Sequence, residues 1–97
     1  MQGSDPYEAE REQRKTQSKA QESLEIAQLR EVLETPAGRA VLWRLLVRGR
    51  PFHTSFVAGL PDQTAFNEGR RDNALHLFNE IMRADPASYD LMREENT

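Results

Sequence analysis

The chain has 97 residues, of which 30% are charged, with a net charge of −3 and no cysteine. That length fits one domain at most, and the missing thiols exclude disulfides, thiolate metal sites and a cysteine nucleophile. The negative balance argues against bulk attraction to nucleic acid. No apolar run approaches the ~20 residues of a membrane span, and no basic segment followed by an apolar stretch reads as a signal peptide.

Residues 1–23 hold only Met1, Tyr7, Ala9 and Ala20 from the apolar set. From about Tyr7 to Lys19 they are strong helix formers, with Arg11–Glu8 and Glu12–Lys15 spaced for side-chain pairing on one helix. A helix that is polar all round needs a neighbour to order it. The sequence therefore predicts a partner-ordered helical arm over 1–23 and a small helical domain over 24–95. From Leu24 the same helix becomes amphipathic through Ile26, Ala27, Leu29, Val32 and Leu33, ending near Glu34. Leu29, Val32 and Leu33 are its expected core residues.

Two further helix starts share one design, Thr35-Pro36 and Asp85-Pro86. In each, a side-chain oxygen takes an orphan backbone N–H, and proline follows where no N–H is needed. The helix begun by Thr35 is expected to bury Leu42, Leu45 and Leu46 and to end at Gly49, before Pro51. Residues 51–61 read as a proline-bounded loop, with Phe52, Phe56 and Val57 expected to tuck under the domain. A third helix is predicted over Asp62–Ala84, with Phe66, Ala74, Leu77, Phe78 and Ile81 at helical spacing and Phe78 and Ile81 in the core. Gly69 lies inside it at a cost of roughly 1 kcal/mol relative to alanine, which suggests another backbone packed closely there. The last helix carries Tyr89, Leu91 and Met92, and Arg93–Thr97 reads as a loose tail. The fold class is all-α: a long polar helix, then a compact small bundle with a proline-bounded loop.

Site chemistry is sparse. The two histidines, His53 and His76, stand 23 residues apart, which offers no metal cluster. His53 beside Thr54 and Ser55 lacks the orienting group and oxyanion site that nucleophilic catalysis requires, and His76 reads as a bland residue at the core edge. The glycines are isolated and form no phosphate loop. No cofactor, metal or catalytic residue is expected.

Charge is unevenly distributed. Residues 35–61 contain Arg39, Arg44, Arg48 and Arg50 and no acid, whereas residues 62–97 carry eight acids against four arginines. Arg44 and Arg48 lie one turn apart and Arg50 follows. This stretch admits three readings: a protein contact, a phosphate contact through arginine forks, or a solvated face favoured by the helix dipole. Around Gly69, the charges of Glu68, Arg70, Arg71 and Asp72 beside Phe66 read as an ion-pair cluster holding the loop to the third helix, ahead of a catalytic pair.

The spaced motifs Thr35-Pro36-Ala37-Gly38-Arg39, Val41-Leu42-Trp43-Arg44-Leu45-Leu46, the Phe52–Gly59 loop, Phe66-Asn67-Glu68-Gly69-Arg70-Arg71-Asp72 and Ala84-Asp85-Pro86 with Tyr89 and Met92 resemble a family of small tailed-phage proteins named after a Bordetella podophage. The resemblance covers about residues 29–93. It implies a non-enzymatic product of the head and packaging gene neighbourhood: a small virion protein at the portal or head–tail region, or one packed inside the head nearby. Its implied partners are other virion proteins, in multiple copies of a symmetric assembly, in the virion and in host cytoplasm during assembly, with no membrane. A DNA-contacting packaging accessory of the small-terminase kind and a scaffolding or assembly factor are the alternatives. No catalytic residue carries over from the family.

Overall fold

In a computed structural model, residues 5–97 form four α-helices and, among these described residues, no strand. They are α1 (Glu8–Leu33), α2 (Pro36–Gly49), α3 (Pro61–Ala84) and α4 (Pro86–Glu95). The all-α class follows from the sequence as expected. Residues 1–4, part of the predicted arm, lie outside the described segment.

Local chemistry sets the corners. The Gly38 N–H donates to Thr35 Oγ1 at 2.9 Å, and the Ala87 N–H donates to Asp85 Oδ1 at 3.2 Å. Each cap precedes proline at the first helical position, where the missing N–H costs nothing. Asp85 also ends α3, so one residue turns the chain from α3 into α4. Arg30 of α1 reinforces that corner: its Nε donates to the Ala84 carbonyl at 2.7 Å, one of the acceptors that a helix end leaves without a partner. α3 begins at Pro61, one residue before the expected start, after Leu60, which makes no side-chain cap.

The Cα extents are 63 × 41 × 15 Å, and with a helix's Cα cylinder about 4.6 Å across and packed axes about 8–10 Å apart, the thinnest dimension holds no more than two helix layers. Such a slab buries little. Leu33, Leu46, Ile81, Ala84 and Met92 form the enclosed cluster, with Leu29, Leu42, Leu77 and Phe78 half-buried against it. Phe78 links the loop to α4 through edge contacts with Phe52 (5.1 Å between centroids) and Tyr89 (5.0 Å).

Two expected core residues are on the surface. Val32 is 42% exposed and Leu45 46% exposed. Each sits beside a residue that is buried, Leu33 and Leu46, and successive helical residues are about 100° apart at 3.6 per turn. In a body this thin, only one of each pair can face inward.

Glycine placement also departs from expectation. A Cβ added at Gly69 would meet nothing within 4 Å, so no backbone packs there. The close approach occurs at Gly49 instead, where a Cβ would collide with Ala74 Cβ and lie 3.1 Å from the Arg70 carbonyl oxygen. Gly49 is thus a point of close approach between α2 and α3, and the two helices make the largest pairing in the fold. The left-handed residue that follows α2 is Arg50, at φ 50°.

The C-terminal segment is tied down rather than loose through Glu95. Arg39, 8% exposed, donates from Nε and Nη2 to the two Glu95 carboxylate oxygens at 2.9 and 2.8 Å. Its Nη1 donates to the Leu33 carbonyl at 2.8 Å. One planar fork therefore joins the end of α1, the start of α2 and the end of α4. The Arg39 hydrogen bonds hold the Glu95 carboxyl below the usual carboxylate range.

On the outer part of α1, the expected Arg11–Glu8 and Glu12–Lys15 pairs are absent among the described residues. Arg11 turns back to Asp5 at 2.5 Å and Arg14 pairs with Glu10 at 3.6 Å. Asp5 also accepts the Tyr7 N–H at 2.8 Å, which makes it the better partner for Arg11. Every residue from Glu8 to Glu25 is exposed.

Candidate functional site

The outer face of α2 follows from its periodicity. Leu42 and Leu46 turn toward the other helices, so Arg44 and Arg48, one turn apart, point to solvent, and Arg50 is exposed just beyond. None of the three makes an ion pair among the described residues. Arg39, counted with them in the acid-free stretch, is withdrawn into its bond with Glu95. The free basic surface of α2 therefore consists of three arginines.

Apolar hollows flank this face. On the α3 side, Leu45, Gly49, Ala74 and Leu77 line a shallow cavity of about 410 Å³ with Arg48 and Arg70 at its rim. On the α4 side, Trp43, Val47, Phe52 and Tyr89 line a groove of about 350 Å³ beside Arg50 and His53. Val47 and Phe52 are 57% and 63% exposed, which is costly to leave uncovered in an isolated small protein.

The loop between α2 and α3 is held by polar groups. Ser55, 8% exposed, donates from Oγ to Glu68, and Asn67 Nδ2 donates to the Ser55 carbonyl at 3.3 Å. Arg71 Nε donates to the Pro51 carbonyl at 3.3 Å, and Arg71 lies 4.0 Å from Glu68. Thr64 Oγ1 accepts the Val57 N–H at 2.8 Å. The structure thus brings Glu68 and Arg71 together at the loop. Asp72 joins no ion pair among the described residues, and Arg70 lies over the Phe66 ring at 5.4 Å. Phe52 and Phe56, expected beneath the domain, are 63% and 68% exposed. The loop's backbone is anchored by Ser55 and Asn67, and Phe52 reaches the bundle through its edge contact with Phe78 rather than by burial.

The histidines stand apart. His53 borders the groove, and His76 is on the outer face of α3, 3.0 Å from Glu80, rather than at the core edge. Among the described residues, no three His, Asp or Glu side chains converge on a common point. No helix among the described residues is long and apolar enough to cross a membrane.

Sequence reasoning missed the Arg39–Glu95 fork. The available signal was a cation in the first turn of a helix, where the dipole disfavours positive charge. Such a residue needs a compensating acid nearby.

Comparison with known proteins agrees with the motifs. The family model described as Bbp19-like phage protein matches residues 29–94, about two-thirds of the chain. That span starts inside α1 at the first half-buried leucine of its packed end and closes just short of Glu95, so it coincides with the packed bundle and leaves out the exposed length of α1. No curated protein and no solved structure matches significantly. With the same caps, arginine face and anchored loop falling inside one matched span, the chain belongs to the Bbp19-like phage protein family.

Proposed function

We propose that this phage protein is a non-enzymatic virion component that docks on other virion proteins through the arginine face of α2, at the portal or head–tail region or inside the head beside it. The observation that carries this reading is the exposure of Arg44, Arg48 and Arg50 without internal partners, between two apolar hollows, on a chain that is otherwise acidic. Opposite charge steers and orients such contacts, and the apolar flanks supply area to bury. Several copies in a symmetric assembly, formed in host cytoplasm, would repeat the contact around an axis.

A second reading is favoured by Arg48 and Arg70 standing at the rim of one hollow. Paired guanidinium forks suit phosphate, as in a DNA-contacting packaging accessory. A scaffolding or assembly factor would use the protein contact and leave on maturation.

Changing Arg44, Arg48 and Arg50 together to Gln separates these readings. Exposed charges contribute little to the fold, so the melting temperature stays nearly unchanged while incorporation into particles falls. Normal incorporation with poor DNA retention, together with salt-dependent duplex binding by the wild-type chain, would replace the protein-contact reading with the DNA reading.

A further inference from the structure

The groove at the C-terminal end of α2 has a chemistry of its own. Its floor is apolar, from Trp43, Val47, Phe52 and the Tyr89 ring, and its lining also holds the cation Arg50 and His53 and no carboxylate. An occupant that matches it offers an aromatic or aliphatic side chain flanked by carboxylates. The far tip of α1 has that composition. Tyr7 is 62% exposed within Asp5-Pro6-Tyr7-Glu8-Ala9-Glu10; Asp5 and Glu10 hold Arg11 and Arg14, and the neighbouring Glu8 makes no ion pair among the described residues.

We propose that the Tyr7 tip of one copy seats in the Trp43–Tyr89 groove of a second copy, so that copies join head to tail. Within one chain the contact is impossible. α1 is a continuous helix from Glu8, and at about 1.5 Å per residue its tip stands roughly 28 Å beyond Ile26, where the helix joins the packed core. A rigid rod cannot bend back to its own bundle. Between copies both surfaces are accessible among the described residues: Tyr7 is exposed and the groove is open to solvent. Tip and groove are different surfaces, so the contact is heterologous, and repetition closes a ring or extends a filament. Glu8 meets the groove's Arg50, which adds attraction that salt weakens. This contact needs neither Arg44 nor Arg48, and it stands or falls apart from their docking on other virion proteins.

The absence of cysteine makes the test clean. Ala9→Cys, beside Tyr7, and His53→Cys, in the groove lining, alter two exposed positions and leave Tyr7 and the apolar floor in place, so the melting temperature is expected to stay at the wild-type value. Under mild oxidation the double variant should give a ladder of dimers, trimers and longer or closed species on a non-reducing gel. A mixture of the two single variants should give a mixed dimer, at a yield well above that of a Leu24→Cys and His53→Cys control mixture. In sedimentation velocity, wild-type association should grow with concentration and be lost on Tyr7→Ser. Cross-linking no better than the control overturns the proposal. So does a wild-type chain that stays monomeric at every concentration, or association that Tyr7→Ser leaves unchanged. A ladder that survives Arg44→Gln with Arg48→Gln, while particle incorporation is lost, separates this contact from the arginine face.

Discussion

The two ends of α1 belong to one uninterrupted helix and obey different physics. From Ile26 to Leu33 the helix is clamped: Ile26 and Leu29 pack on the core, Leu33 is 1% exposed, and Arg30 caps the end of α3. From Glu8 to Glu25 it touches little beyond one loose pair, Glu22 with Arg83 at 3.9 Å. The same backbone hydrogen bonds run through both. What differs is whether another element lies within reach of the side chains, and that decides which positions the fold depends on.

The sharpest way to break this contrast is with two leucines on the same helix. Leu33→Ala removes a fully buried side chain and should destabilise the chain by about 2–5 kcal/mol. Leu24→Ala, at a residue 50% exposed, should stay within about 0.5 kcal/mol. Denaturant melts of both variants measure the difference, and comparable losses would mean the outer helix packs on the bundle.

The glycines of α2 and α3 carry the contrast to the largest helix pairing. Gly49→Ala should cost about 1–3 kcal/mol, because the new methyl group meets Ala74 and the two helices must separate. Gly69→Ala meets nothing and should stabilise by up to about 1 kcal/mol through helix propensity. Opposite signs are expected in the same thermal melts. A destabilising Gly69→Ala would show a neighbour there after all.

The smallest effect belongs to the tie between the packed start of α2 and the end of α4. Glu95 has its pKa depressed by the Arg39 hydrogen bonds, so its contribution is present above the unfolded carboxylate value of about 4.3 and is lost as pH falls through the lower folded value. Glu95→Gln should therefore melt below wild type at neutral pH by a margin smaller than Gly49→Ala. The gap should close as the solution is acidified past the ordinary carboxylate range. A gap that is constant down to low pH would assign the loss to packing rather than charge.

These same positions mark what the residues disclosed before the fold was known. Thr35-Pro36 and Asp85-Pro86 were legible because a cap is settled by atoms two or three residues away. The length of α1 was legible from an unbroken run of helix formers. The inward choice between Val32 and Leu33, or Leu45 and Leu46, was not, because it depends on how many layers surround the helix. Gly49 and Gly69 look alike in one dimension, and only the crossing of α2 over α3 tells them apart. Arg39 and Glu95 stand 56 residues apart, beyond any local pattern. For the proposed interaction surface, the exposure of Arg44 and Arg48 followed from helical period alone. The groove beside Arg50 did not, since it is assembled from α2, the loop and α4.

The clamp at one end of α1 makes the helix a cantilever. Arg30 and Leu33 fix its root against the α3–α4 corner, while the free length magnifies any rotation there. A tilt of about 5° at the root displaces a tip roughly 28 Å away by about 2.5 Å, given the 1.5 Å rise per residue. A shift of that size is half a helical turn, enough to absorb small differences in spacing between neighbouring objects with only a slight adjustment at the root. The rigid part keeps its shape, and the lever supplies the tolerance.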